Sequence, residues 1–154
     1  MKFFLIFLIP LSLSHASTDL LARYCAEVGG QIKDSYLCPK SGLTIRWDFC
    51  VSTSPQGITL FTDGCTGPSG AHTELFYPAC VKHDYCYHHE PVTTGRTRKD
   101  CDQEFLQDTI KLCEKSENPN KCEMWAYSMY SALRGFGELA FNCAEYPADY
   151  REIN

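Results

Sequence analysis

Cys80-Val81-Lys82-His83-Asp84-Tyr85-Cys86-Tyr87 is the stretch that decides how this chain folds. Helix positions three or four apart share a face, whereas adjacent positions point about 100° apart. A helix here would place Cys80 one turn before Asp84 and Cys86 one turn after His83. If both cysteines form disulfides, the segments attached to them lie against the histidine and the carboxylate. The stretch therefore predicts a site held together by two disulfides.

The first of these cysteines has a candidate partner in the turn-rich segment upstream. Asp63 lies there, two residues before Cys65. A disulfide holds two Cα atoms about 4.4–6.8 Å apart. A bridge between Cys65 and Cys80 would therefore bring Asp63 and the loop carbonyls beside Asp84. Such a set of hard oxygen ligands suits calcium.

The second cysteine has a candidate partner downstream, at the start of a helical pattern. Cys101 is followed directly by Asp102. A bridge between Cys86 and Cys101 would bring Asp102 beside His83. A carboxylate on one imidazole nitrogen fixes the tautomer and leaves the other nitrogen available as a base.

These motifs together resemble the secreted phospholipase A2 family, over roughly residues 60–142. Ala79 and the short Thr66-Gly67-Pro68 loop differ from the pancreatic and venom enzymes. The pattern is more similar to the bacterial and fungal secreted enzymes and to conodipine-type toxins. The motifs that carry the resemblance are Asp63-Gly64-Cys65, Pro78-Ala79-Cys80, His83-Asp84, Cys86-Tyr87 and Cys101-Asp102.

The resemblance implies calcium-dependent hydrolysis of the sn-2 ester bond of phospholipids, with release of fatty acid and lysophospholipid. Phospholipid aggregates or a membrane surface would be the partner, bound peripherally. The alternative is a non-catalytic secreted binding protein or toxin on the same scaffold. The implied roles are a catalytic His83 and Asp102, a Ca²⁺ site of Asp63, Gly64 and Asp84, and oxyanion-binding amides at Cys65 and Thr66.

The first 16 residues have the features of a secretory signal peptide. Lys2 precedes the apolar run Phe3–Leu13, and Ser14-His15-Ala16 has the small-x-small form of a cleavage site. The sequence contains 10 cysteines, an even number that favours disulfides in an oxidising compartment over metal ligands. A secreted, extracellular protein without a transmembrane segment is expected.

The charge of the chain limits its partners. The formal net charge is −5, and removal of Lys2 with the signal peptide would make it more acidic. An acidic protein has no polybasic surface for nucleic acid or anionic lipid. We therefore expect no nucleic-acid partner, membrane contact through apolar and aromatic side chains, and a monomer.

The expected fold is mainly α and disulfide-rich, with a phospholipase A2-like pair of antiparallel helices, a calcium loop and a small N-terminal β-containing segment. After the signal peptide at 1–16, residues 17–59 would form the N-terminal helix and hairpins, and residues 60–154 the catalytic domain. Predicted elements are a helix over 18–28, strands within Thr44–Val51 and Ile58–Phe61, and helices from Pro78 to His89, from a Thr97 cap to Lys115, and after Asn118-Pro119.

The remaining cysteines leave more than one pairing open. The spacing of Cys113 and Cys122 fits a bridge across a helix–helix turn. Proximity and elimination suggest Cys25–Cys38 and Cys50–Cys143, but sequence does not determine connectivity among these four.

Other readings of the candidate residues remain at this stage. His83 could be a structural histidine between two helices, and His88, His89 and Cys86 could bind zinc together with it. The aromatic residues of the last helix, Trp125, Tyr127 and Tyr130, are expected mostly in the core. An acyl channel or interfacial rim could draw on Trp47, Phe49, Phe61, Phe76 and Tyr77.

Overall fold

The computed structural model describes residues 15–37, 44–57, 59–66, 70, 72–138 and 140, and the statements below concern this part of the chain. It is mainly helical and rich in disulfides, with small antiparallel β-structure, as expected. Along the chain the elements are α1 His15–Glu27, β1 Gln31–Lys33, β2 Tyr36–Leu37, β3 Thr44–Ile45, β4 Phe49–Thr53, β5 Thr59–Thr62, α2 Thr73–Thr93, α3 Arg98–Cys113 and α4 Pro119–Phe136.

Helix α2 is longer than the sequence predicted at both ends. It begins at Thr73, where the Thr73 hydroxyl donates to the Gly70 carbonyl over 2.9 Å and accepts from the Gly70 N–H over 3.0 Å. This closed turn starts the helix early, so Pro78 lies inside it and not in its first turn. At the other end the helix continues past Pro91 to Thr93. A proline removes one backbone hydrogen bond, but its φ is compatible with a helix.

Helices α3 and α4 begin at the predicted caps. The Thr97 N–H donates to the Asp100 carboxylate over 2.9 Å, and the Asp100 N–H donates back to the Thr97 hydroxyl over 3.3 Å, which completes the capping box. The Asn118 side chain accepts from the Lys121 N–H over 3.1 Å. Both helix starts are therefore encoded locally.

The strands form two small antiparallel sheets. One has the order β1-β4-β5, and β2 pairs with β3 in the other. The predicted run Thr44–Val51 is divided between β3 and β4, because the two halves pair with different strands. The β4–β5 hairpin leads directly into the loop before α2, so the sheet positions that loop.

Three predicted disulfides are confirmed, namely Cys65–Cys80, Cys86–Cys101 and Cys113–Cys122. The pairings Cys25–Cys38 and Cys50–Cys143 are wrong, because Cys25 is bonded to Cys50.

The Cys25–Cys50 bridge has a structural cause that the spacing of the cysteines did not reveal. Strand β1 pairs with β4, with Ile32 opposite Cys50, and the short connection from α1 to β1 leaves Cys25, in the last turn of α1, with its Cα 5.5 Å from that of Cys50. A Cβ on Gly30 would stand 2.6 Å from the sulfur of Cys50 and 2.9 Å from that of Cys25, so this turn is closely packed on the bridge. Cys38 and Cys143 lie outside the described residues.

The main core lies between α2, α3 and α4. Phe76, Phe105 and Ala126 are buried there around the Cys113–Cys122 bridge. Trp125 packs against this core as expected, whereas Tyr127 is 52% exposed and so departs from the expectation for the last helix. None of the helices that the structure describes has an apolar stretch long enough to cross a membrane.

Candidate active site

Two disulfides attach neighbouring segments to α2 on either side of the predicted histidine and carboxylate. The Cys65–Cys80 bridge joins the loop after β5 to the helix with Cα atoms 5.2 Å apart. The Cys86–Cys101 bridge joins the start of α3 to a later turn of α2, with Cα atoms 5.6 Å apart. The loop and α3 are thus both held against the same short section of α2.

His83 and Asp102 form a buried hydrogen-bonded pair between α2 and α3. The His83 Nε2–H donates to Asp102 Oδ1 over 2.9 Å, and the two residues are 6% and 0% exposed. The imidazole packs against the rings of Tyr87 and Phe105, with centroid distances of 4.1 Å and 5.3 Å. Because Nε2 keeps its proton and donates it in a hydrogen bond to Asp102, the basic lone pair of the neutral ring lies on Nδ1.

Two further donors hold the Asp102 carboxylate, and sequence reasoning missed both. The Tyr87 hydroxyl donates to Oδ1 over 2.6 Å, and Arg134 Nη1 donates to Oδ2 over 2.5 Å. Burial alone would raise the pKa of Asp102, but its hydrogen bonds to His83, Tyr87 and Arg134 outweigh this effect and hold the pKa below its ordinary value. Tyr87 lies one turn after His83 and could have been found from helical spacing. Arg134 carries no local pattern that points to it.

The Asp84 carboxylate faces the loop that follows β5. Asp84 Oδ2 accepts from the Thr62 hydroxyl over 2.5 Å, from the Asp63 N–H over 3.0 Å and from the Gly64 N–H over 3.1 Å. Asp63 Oδ1 accepts from the Thr66 hydroxyl over 2.9 Å. The structure therefore brings together the three residues predicted to bind calcium.

The two carboxylates fit a divalent cation with oxygen ligands. Burial raises the pKa of Asp84 well above its ordinary value, and the charge of Asp63 raises it further. Burial likewise raises the pKa of Asp63, to about 6. A cation bound by both carboxylates would favour their ionised forms and so lower both pKa values. Carboxylate oxygens are ligands that calcium favours. Within the described ranges no three His, Cys, Asp or Glu side chains surround a common metal position, so backbone carbonyls and water would complete the ligand set.

Gly64 is packed tightly against Tyr77 behind this carboxylate pair. Its φ is +73°, and a Cβ there would stand 2.8 Å from the Tyr77 ring. Tyr77 is 8% exposed, and its hydroxyl has no hydrogen-bond partner in the described part of the chain. The aromatic ring thus fixes the position of the loop backbone whose amides hold Asp84.

An open cavity of about 340 Å³ joins the two halves of the site. His83, Asp84 and Asp63 line it, together with the candidate oxyanion-binding residues Cys65 and Thr66. Its apolar wall comes from α3 and the end of α4, through Phe105, Met129, Ala132, Leu133 and Phe136.

Of the aromatic residues considered for a channel or rim, Trp47 lines the cavity and is 49% exposed. Phe49 and Phe61 pack on each other instead, with ring centroids 5.8 Å apart, and Phe76 is fully buried in the core. Phe136, which sequence reasoning did not single out for this role, lines the cavity and is 83% exposed.

The structure argues against the zinc alternative. Cys86 is bonded to Cys101 and is therefore not a metal ligand. His88 lines the cavity and lies near the Phe61 ring, with centroids 6.1 Å apart.

Comparison with known proteins gives consistent results over different lengths of chain. Residues 46–137, more than half of the chain, match the family model of prokaryotic phospholipase A2. Conodipine-P2 and Conodipine-P1 from Conus purpurascens are each 38% identical over 76 residues, which is 49% of this chain and 42% of theirs.

A secretory phospholipase A2 from Beauveria bassiana (strain ARSEF 2860) is 28% identical over 137 residues, covering 86% of this chain and 70% of that protein. The chain spans less than half the length of the conodipines that it matches. No solved structure matches the chain significantly. On the strength of the family model and the length that it covers, the chain belongs to the prokaryotic phospholipase A2 family.

Proposed function

We propose that this protein is a secreted, calcium-dependent phospholipase A2 that hydrolyses the sn-2 ester bond of phospholipids and releases fatty acid and lysophospholipid. The observation that carries the proposal is one cavity lined both by His83, paired with Asp102 over 2.9 Å, and by the carboxylates of Asp63 and Asp84. A general base can activate the attacking water, and a bound cation can polarise the ester carbonyl, so the two together suit ester hydrolysis.

His83 would act as the general base in this reaction. Its Nδ1 lone pair would take a proton from a water molecule as the water attacks the ester carbonyl, and Nε2–H would stay bonded to Asp102. The carboxylate keeps the ring in this tautomer and stabilises the imidazolium that forms. Positioned acid–base groups of this kind contribute typically ~10²–10⁴-fold in rate.

Asp63 and Asp84, with backbone oxygens near Gly64, would hold the calcium ion. When bound, calcium supplies Lewis-acid polarisation of the ester carbonyl and stabilises the negative charge that develops on its oxygen. The amides of Cys65 and Thr66 are the candidate donors to the same oxygen, since both residues line the cavity beside His83.

The cavity and its edge favour a lipid substrate. Its volume of about 340 Å³ lies in the range of small-molecule sites, and the α4 side of its wall is apolar. Trp47 and Phe136 both line the cavity and are exposed, so they form an apolar rim suited to peripheral contact with a phospholipid surface. The disulfides favour an oxidising, extracellular location. We propose that the protein acts as a monomer and does not bind nucleic acid.

The test is release of free fatty acid from mixed micelles of phosphatidylcholine, with calcium and with a chelator. We expect hydrolysis with calcium, loss of hydrolysis with the chelator, and a loss of about 10²–10⁴-fold in kcat for His83→Gln, because the base is removed. His72→Gln is a matched control, since His72 precedes α2 outside the residues that line the cavity. Activity that survives in the chelator would show that the metal role is wrong.

The same preparation distinguishes the alternative of a non-catalytic binding protein. Its thermal unfolding is followed at increasing calcium concentration. Stabilisation by calcium without any hydrolysis would support the binding protein instead of the enzyme, because a ligand that binds only the folded state raises its stability. An enzyme should show both effects.

A further inference from the structure

We propose that Arg134 is a positioning residue that holds the Asp102 carboxylate in the rotation needed by His83. The inference rests on the proposed function and adds a residue from α4 to the site. Arg134 Nη1 donates to Asp102 Oδ2 over 2.5 Å, and the two side chains are 32% and 0% exposed. Side chains from three helices, α2, α3 and α4, therefore meet at the Asp102 carboxylate.

The distribution of donors on Asp102 supports this role. His83 and Tyr87 both donate to Oδ1, at 2.9 Å and 2.6 Å. Arg134 donates to the other oxygen, Oδ2, and charge-assisted hydrogen bonds of this kind are about twice as strong as neutral ones. With Arg134 in place, rotation of the carboxylate about its Cβ–Cγ bond would break a charged contact. Without it, a fully buried carboxylate would lose its paired cation, which is costly.

The competing explanation is a purely structural role, in which Arg134 only helps to hold the end of α4 against α3. Other contacts also join these two helices. Arg98 Nη1 donates to the carbonyls of Leu133 and Arg134 over 3.0 Å and 3.2 Å. Leu133 and Phe136 line the cavity. If Arg134 only fixed the position of α4, its loss would displace the cavity wall and change substrate binding. If it positions Asp102, its loss would change the chemical step.

Steady-state kinetics of Arg134→Gln and Arg134→Lys separate the two roles. We expect Arg134→Gln to lower kcat by about tenfold to a hundredfold with little change in KM, since residues that orient a catalytic group commonly have effects of this size. Arg134→Lys keeps the cation and should recover most of kcat. Arg96→Gln is the control: Arg96 pairs with Glu104 on α3 over 2.7 Å, and its loss should leave kcat unchanged.

A second comparison keeps the inference testable if Arg134→Gln folds poorly. Asp102→Asn removes the buried charge that Arg134 pairs with, so the double variant Asp102→Asn/Arg134→Gln contains no unpaired carboxylate. We expect its kcat to equal that of Asp102→Asn alone, because residues that act as one unit are not additive. A further drop as large as that seen in the wild-type background would overturn the inference.

The outcomes also separate this inference from the proposed function. If the wild-type protein does not hydrolyse phosphatidylcholine, the proposed function is wrong. If the wild type is active and Arg134→Gln keeps its kcat, or raises KM with kcat unchanged, only the role of Arg134 is wrong. Thermal unfolding of each variant with calcium checks that the comparison is made between folded proteins.

Discussion

Gly64 has a φ of +73°, and a Cβ at this position would meet the ring of Tyr77 at 2.8 Å. Its N–H donates to the Asp84 carboxylate over 3.1 Å. A residue with a side chain costs about 1–2 kcal/mol in the left-handed region, and forcing extra atoms into a packed site adds about 1–3 kcal/mol. Backbone conformation, packing and the predicted calcium site thus all require glycine at position 64.

We therefore expect Gly64→Ala to destabilise the protein more than Gly57→Ala does, and to weaken calcium binding. Gly57 is a matched control, because its φ is +79° but a Cβ there would meet nothing within 4 Å. Gly57→Ala should cost only the backbone contribution, about 1–2 kcal/mol. Urea unfolding and calcium titration of both variants provide the measurements. Equal losses of stability with unchanged calcium affinity would contradict the role given to Tyr77 packing.

At the scale of elements, two disulfides of equal loop length support different parts of the site. Cys65–Cys80 and Cys86–Cys101 each span a sequence separation of 15. The first ties the loop carrying Asp63 to α2, and the second ties the helix carrying Asp102 to α2. In the chain-entropy model, loops of this length contribute about 3 kcal/mol each. The two bridges should therefore resemble each other in stability and differ in function.

Removing each bridge as a pair of alanines tests this difference. We expect Cys65→Ala/Cys80→Ala and Cys86→Ala/Cys101→Ala to lose similar stability, about 3 kcal/mol, as measured by urea unfolding at low temperature. The first variant should bind calcium more weakly, because its loop is released. The second should keep its calcium affinity and lose kcat, because Asp102 is no longer held against His83. The reverse pattern would show that the two halves of the site are assigned to the wrong bridges.

The elements also show what the sequence could and could not predict. The starts of α3 and α4 follow from Thr97 and Asn118, whose caps are local hydrogen bonds between residues three apart. The start of α2 depends on a turn between Gly70 and Thr73, which has a weak sequence pattern. Proline is common in the first turn of a helix, so Pro78 indicated a later start.

Long-range contacts account for the wrong disulfide pairing and for the omission of Arg134. Cys25 reaches Cys50 only because β1 pairs with β4, and nothing near either cysteine indicates that pairing. The contact of Arg134 with Asp102 links residues 32 apart in sequence, and an arginine near a helix end is common on any surface. The candidate pair of His83 and Asp102 was predictable because neighbouring cysteines marked both residues.

At the scale of the whole molecule, the distribution of charge and apolar surface determines which lipid surface would fit the proposed enzyme. The formal net charge is −5, so electrostatic attraction to anionic lipid is not expected to drive binding. Exposed apolar side chains occur at the cavity edge, as Trp47 and Phe136, and also away from the cavity lining, as Met124, which is 71% exposed. Only those at the edge would bring a bound surface to the candidate catalytic residues.

We expect Trp47→Ala and Phe136→Ala each to weaken binding to vesicles of ether-linked phosphatidylcholine, which the protein cannot hydrolyse. Full burial of a large apolar side chain is worth about 1.5–3 kcal/mol, so a loss of roughly tenfold or more in affinity is expected for each. Met124→Ala should bind like the wild type, because Met124 lies outside the cavity lining. Sedimentation of the protein with vesicles measures all three. Binding through an apolar rim on an acidic protein should depend neither on Met124 nor on lipid charge. If Met124→Ala weakens binding as much as the rim variants do, or if binding requires anionic lipid, the contact surface therefore lies elsewhere.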